Sequence, residues 1–222
     1  MHWGKRAAAL AAIAIGSLGS VGALATPANL VATGDFDFYV LTLSWSPGFC
    51  DTGGAEKSPD QCAVGAGEGF VVHGLWPDNQ NRRYPEDCGR QEHLSEAALS
   101  ETRGVYPTEG LARYEYAKHG TCTGLSPEDY FAAVKYTRDQ FAIPEALKAP
   151  HEKINTTPDQ LVRDFIAINP NLTAEDMALT CEWGELLDVR FCVSKSLGAF
   201  VVCPKIAGHT CHASSISVAP LR

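Results

Sequence analysis

The chain has 222 residues, of which 18 are Lys or Arg and 26 are Asp or Glu, a formal net charge of −8. An acidic balance counts against a protein that grips nucleic acid through bulk positive charge, because such affinity comes from clustered Lys and Arg. The chain shows neither an internal repeat nor a low-complexity segment, and its length suits one domain with a substantial core.

Lys5 and Arg6 precede an apolar run from Ala7 to Leu24, which ends in Ala23-Leu24-Ala25 ahead of Thr26-Pro27. A charged start, a short apolar middle and a small-x-small end are the order of a secretory signal peptide, here residues 1–25. A membrane anchor is the alternative, but Gly16, Gly19 and Gly22 interrupt a run already short for a span. Cleavage would leave residues 26–222 as a single domain with 16 basic and 26 acidic residues, secreted or periplasmic and without a membrane span. All eight cysteines, at 50, 62, 88, 122, 181, 192, 203 and 211, lie in that part. An even count in an exported chain implies disulfides, although eight cysteines allow 105 pairings. Zinc is the competing reading. No CxxC pair exists, and His209-Thr210-Cys211-His212 lacks a partner cluster with ligand spacing.

Residues 38–45 are β-branched and aromatic with partial alternation and predict a strand that stops at Ser46-Pro47-Gly48. A polar, glycine-rich loop over 51–69 leads to a second strand, 70–73, with a turn expected at Gly74-Leu75-Trp76-Pro77. Helices are predicted from Leu94 to Thr102 and from Glu109 to His119, the latter closed by Gly120 as C-cap. Ser126-Pro127-Glu128-Asp129 starts another helix, to about Phe141, and Thr157-Pro158-Asp159 repeats the device. Short strands follow at about 178–183, 186–193 and 199–203. The fold class is therefore α+β, a central antiparallel sheet with helices packed on one side, stapled by disulfides.

Two segments carry chemistry. In Phe70-Val71-Val72-His73-Gly74-Leu75-Trp76-Pro77-Asp78 a histidine ends an apolar strand, where it is more often a packed core residue. The glycine after it permits close approach, and the Trp, Pro and Asp that follow make a rigid, partly polar rim. In Tyr114-Glu115-Tyr116-Ala117-Lys118-His119-Gly120-Thr121-Cys122, helical spacing puts Glu115, Lys118 and His119 on one face. Alone, that segment reads as a solvated ion pair with a histidine at a helix end. Together the two segments supply two imidazoles, an ammonium and a carboxylate, which can move a proton twice and stabilise an anionic phosphorane.

His-Gly-Leu-Trp-Pro, followed about forty residues later by Glu-x-x-Lys-His-Gly-Thr-Cys, resembles the two active-site segments of the ribonuclease T2 family. Ser44-Trp45-Ser46-Pro47-x-Phe49-Cys50 is similar to that family's first strand, and the likeness extends to the last cysteines. The resemblance implies an endoribonuclease, independent of metal or cofactor, that forms a 2′,3′-cyclic phosphate on single-stranded RNA and hydrolyses it to a 3′-phosphate. His73 would be the general acid and His119 the base, with Glu115 and Lys118 neutralising the phosphorane. Trp76 and Tyr84 would stack a base while Asp78 accepts from its exocyclic amine, so base specificity should be low. A reaction that uses the 2′-hydroxyl cannot cut DNA. The implied bridges are 50–62, 88–122, 181–211 and 192–203, and a monomer is expected.

The chain departs from the family pattern at Tyr114, where histidine is usual, at Tyr116, where tryptophan is usual, and at Ala117, where a polar residue is common. Only Tyr114 touches the chemistry, as a substrate contact that has lost a cation. Against the acidic total, local positive charge would come from Arg82, Arg83, Lys118 and protonated histidine. The alternative from another class is a catalytically silent secreted module that binds RNA or protein, opposed by the retained His73, Glu115, Lys118 and His119. Signatures of histidine phosphatases and HExxH zinc hydrolases are missing.

Overall fold

A computed structural model describes Met1 and residues 26–89 and 93–222; the rest of the expected signal peptide lies outside the described residues. Alternation along β1 (Phe38–Trp45) points Tyr39, Leu41, Leu43 and Trp45 into the main core and Phe38 and Val40 into a smaller cluster on the other face. A strand buried on both sides needs neighbours on both edges. β2 (Phe70–Asp78) and β5 (Glu185–Ser194) flank it, both antiparallel.

β5 forms a hairpin with β4 (Met177–Glu182), and the short strands β3 (Ile154–Thr156) and β6 (Ile216–Val218) pair with each other. The order β2-β1-β5-β6-β3, with β4 also on β5, is antiparallel except for the β5–β6 contact at Glu185 and Ser217. The sequence did not reveal β3 or β6, whose three residues each are too few to show a period. The strand expected at 199–203 does not form. Phe200 makes one isolated bridge to Val193, and the short helix α6 (Pro204–Ala207) follows.

β2 runs five residues past the expected strand end at His73, through the expected turn to Asp78. Its pairing explains the discrepancy. Leu43 faces Val72 and Thr42 faces Gly74, so His73 is an extra residue without a partner on β1, a β-bulge. Pro77 is accommodated because β2 is an edge of the sheet, where a missing N–H leaves no ladder bond unmade. The bulge also shifts the alternation by one. Val72 and Leu75 both enter the core, whereas His73 and Trp76, three residues apart, share the opposite face with rings 5.3 Å apart.

Helix α1 (Ser46–Asp51) occupies the place where the sequence indicated only a strand stop. Helices α2 (Glu96–Thr102), α3 (Glu109–Lys118), α4 (Pro127–Asp139) and α5 (Pro158–Ile168) begin at Ser95, Thr108, Ser126 and Thr157, whose hydroxyls each accept from the amide three residues on. Leu99, Ala112, Tyr116, Phe131, Val134 and Phe165 from these helices cover the same face as Leu41, Val72 and Phe191. On the opposite face the described residues form a smaller buried apolar cluster, Phe38, Val40, Cys192 and Cys203, with Trp76, Val201 and Ile206 packed on it. Helices α2–α5 therefore lie on one side and leave part of the other open. Four disulfides join Cys50 to Cys62, Cys88 to Cys122, Cys181 to Cys211 and Cys192 to Cys203.

Candidate active site

The C-terminal turn of α3 meets the bulge of β2 at Gly74. A β-carbon there would lie 2.2 Å from the Trp76 indole nitrogen and 2.3 Å from Oε2 of Glu115, so glycine is what admits the carboxyl. The Trp76 indole donates to Glu115 Oε2 at 2.6 Å, and Glu115 Oε1 lies 3.6 Å from His73 Nε2. Glu115 is 1 % exposed, and burial pushes its carboxyl up to about 7 against the opposing effects of Trp76 and Lys118.

His119 caps α3, and its ring lies 5.4 Å from Trp76 and 6.1 Å from Tyr84. A helix C-terminus favours imidazolium, yet burial, followed by the Lys118 charge, pushes His119 down to about 4. Burial likewise lowers His73, with Asp188 opposing and Arg190 and Lys118 adding to the effect. Gly120 does not have the left-handed backbone expected of a C-cap; it opens a 3-10 turn, and a β-carbon there would lie 2.4 Å from the Tyr116 ring.

Lys118 Nζ donates to the Tyr114 hydroxyl at 3.2 Å and lies 3.8 Å from Glu86, and its pKa is raised, first by the Tyr114 bond. Tyr114 itself is exposed, on the lip of the site. The Cys88–Cys122 bridge and a backbone bond from Asp87 to the Lys118 carbonyl, 2.8 Å, tie the loop beyond Tyr84 to the end of α3.

Asp78 is buried at the end of β2, and its Oδ1 already receives the Asn79 amide at 2.7 Å and the Lys205 ammonium at 2.9 Å. Lys205 also lies 5.8 Å from the centre of the Tyr84 ring. The residues expected to form a base pocket are thus joined by a cation from α6 that sequence reasoning passed over. Two of the cations invoked against the acidic charge are engaged elsewhere. Arg82 pairs with Asp35 at 3.0 Å, and Arg83 pairs with Glu86.

The opposite wall comes from β5. Asp188 and Arg190, two residues apart in a mostly apolar strand, face the site beside Ser44 and His73, and the Arg190 guanidinium lies 5.5 Å from the Trp76 ring centre. Two opposite charges at period-two spacing in a buried strand were the available signal for them.

Site and sheet together define a disulfide-stapled α+β protein in which two histidines and a buried carboxyl surround a tryptophan, with Lys118 on the same helix as the carboxyl. The ribonuclease T2 family model matches residues 36–203, and the chain belongs to that family. It is 48 % identical to a ribonuclease of Aeromonas hydrophila over 97 residues, 44 % of this chain and 42 % of that one. Identity to a probable ribonuclease of Haemophilus influenzae is 38 %, over 61 % of this chain and 52 % of the relative, so the chain spans about half the length of these two. Ribonuclease I of Escherichia coli is 31 % identical over 81 % of this chain and 76 % of its own. Among solved structures, a self-incompatibility RNase of Nicotiana alata shares the fold at TM-score 0.62 and 19 % identity, covering 85 % of this chain and all of that one.

Proposed function

We propose that the protein is a metal-independent endoribonuclease that cleaves single-stranded RNA with low base specificity. The observation that carries this reading is the placement of Glu115. Its buried carboxyl bridges the Trp76 indole and the His73 imidazole, and His119 lies on the same tryptophan. With its pKa near 4, His119 is neutral in mild acid and can take the proton of a 2′-hydroxyl. The 2′-oxygen attacks phosphorus, the bond to the 5′-oxygen breaks, and His73 gives that oxygen its Nε2 proton. The product is a 2′,3′-cyclic phosphate, which water opens to a 3′-phosphate with the two histidines exchanging roles.

Lys118 offsets the charge of the phosphorane. Glu115, largely protonated below pH 7, donates a hydrogen bond to it from Oε1 while Oε2 holds Trp76. Trp76 and Tyr84 offer stacking faces for a base, and Asp78 with Lys205 presents an acceptor beside a donor. The reading includes residues 1–25 as an export leader and 26–222 as one catalytic domain working outside the cytoplasm as a monomer. Four disulfides and the small-x-small end of the leader support export. No helix of the described residues is long and apolar enough to cross a membrane.

The test is incubation of purified protein with RNA and with DNA in chelator, followed by end analysis. Cyclic or 3′-phosphate ends on RNA alone are expected, and His73→Ala and His119→Ala should each lose about 10²–10⁴-fold activity while staying folded. Intact RNA would favour a silent binding module, and near-normal cleavage by either variant would remove that histidine from the mechanism.

A further inference from the structure

We propose that Ser44 and Asp188 are positioning residues that fix the tautomer and direction of His73, so that the proton it exchanges is always the one on Nε2. The proposal rests on the acid role given to His73 above. As the unpaired residue of a bulge, His73 lacks the regular pleat that would aim a strand side chain. Its ring therefore needs an anchor.

Ser44 supplies that anchor, with its Oγ 3.2 Å from His73 Nδ1. Ser44 stands directly opposite Asp188 in the β1–β5 ladder, and the same oxygen donates to Asp188 Oδ1 at 2.7 Å. Asp188 Oδ2 in turn receives the Thr180 hydroxyl at 3.0 Å and Arg190 at 3.3 Å. A carboxylate only accepts, and a serine has one hydrogen to give. With that hydrogen committed to Asp188, the Ser44 oxygen presents lone pairs to His73. Nδ1 must then carry a hydrogen in both charge states, and the titrating site is Nε2, the nitrogen turned toward Glu115.

The charged groups around the ring act together. From β5 come Asp188 and Arg190, from α3 Glu115 and Lys118, and from its cap His119. Asp188 favours the imidazolium, whereas Arg190 and Lys118 oppose it. Asp188 therefore both sets the hydroxyl's direction and holds up the acid's proton affinity. An asparagine at 188 keeps the shape but can donate to Ser44, which turns the serine hydrogen onto Nδ1 and moves the neutral imidazole's hydrogen to Nε2.

The experiment combines nitrogen NMR of the His73 ring with kinetics across pH. Wild-type neutral His73 should show the Nδ1–H form, and Asp188→Asn should shift it toward Nε2–H. In that variant kcat should fall about 10- to 100-fold with KM nearly unchanged, the scale of a misaimed catalytic group. The alkaline limb of kcat/KM should move to lower pH. Ser44→Ala should lower kcat in the same way, and Ser44→Thr, which restores the hydroxyl, should recover most of it. Nε2–H in the wild type overturns the proposal, as does Asp188→Asn or Ser44→Ala that loses thermal stability while kcat and the alkaline limb stay put. If the wild type cleaves no RNA, the enzyme reading fails, and the ring spectrum still decides between the two tautomers.

Discussion

Glu115→Gln should make this protein more stable at neutral pH while keeping its activity in mild acid. The carboxyl is buried, with one strong donor from Trp76, and its pKa is pushed from 4.5 to about 7. A carboxyl whose pKa is higher folded than unfolded binds more protons in the native state between those values. Native stability therefore falls as pH rises through that window, by about 3 kcal/mol once pH exceeds both values. Glutamine has nearly the same shape, can accept from the Trp76 indole and does not ionise. The variant should match wild type near pH 4 and exceed it by up to about 3 kcal/mol near pH 8, roughly 6–12 °C in Tm for a domain of this size. His73 and His119 are shifted the other way and contribute to both proteins, so the difference curve isolates Glu115. Urea denaturation from pH 4 to 8 without reductant measures it, alongside kcat in mild acid, which should change little because the glutamine amide nitrogen still donates where the protonated carboxyl did. A stability difference that does not change with pH would refute the burial argument.

Cleavage by the wild type should follow a bell in kcat/KM. The acid limb lies near pH 4, where His119 takes up its proton, and the alkaline limb lies below 6.5, where His73 loses its own; a maximum at pH 8 would contradict both. Gly74→Ala forces a methyl against the Trp76 indole and the Glu115 carboxyl, so kcat should drop although every catalytic side chain remains, with about 1–3 kcal/mol of stability lost in chemical denaturation. Replacing Cys88 and Cys122 by alanine opens a loop with a sequence separation of 34, and the chain-entropy scale sets the loss at about 4 kcal/mol by the same assay. Activity should decline below the unfolding temperature as the Tyr84 loop loosens from α3. Tyr114→Phe removes the acceptor for Lys118 and should raise KM by about 2- to 3-fold at every pH, the small end of a hydrogen bond's worth for an exposed group. Tyr114→His should lower KM in mild acid, with the gain fading near neutrality; superimposable curves would leave Tyr114 with no part in binding.

Local rules act within a few residues, and so the sequence by itself determined the local features. The Ser126 and Thr157 caps placed the starts of α4 and α5, alternation placed β1, and helical spacing put Glu115 and Lys118 on the face that leads to His119. An even cysteine count in a chain with a leader implied bridges, but their pairing is a long-range property that spacing cannot resolve. The bulge at His73 belongs to the tertiary structure, because it is a mismatch in register between two strands and Gly74-Leu75-Trp76-Pro77 alone reads as a turn. The use of Gly74 likewise emerges only when α3 brings a carboxyl against it. Asp188, Arg190 and Lys205 stand far along the chain from both histidine segments. Only the β1–β5 ladder and the placement of α6 carry them to the site, where burial, a property of the whole fold, sets the proton affinities of Glu115 and His119.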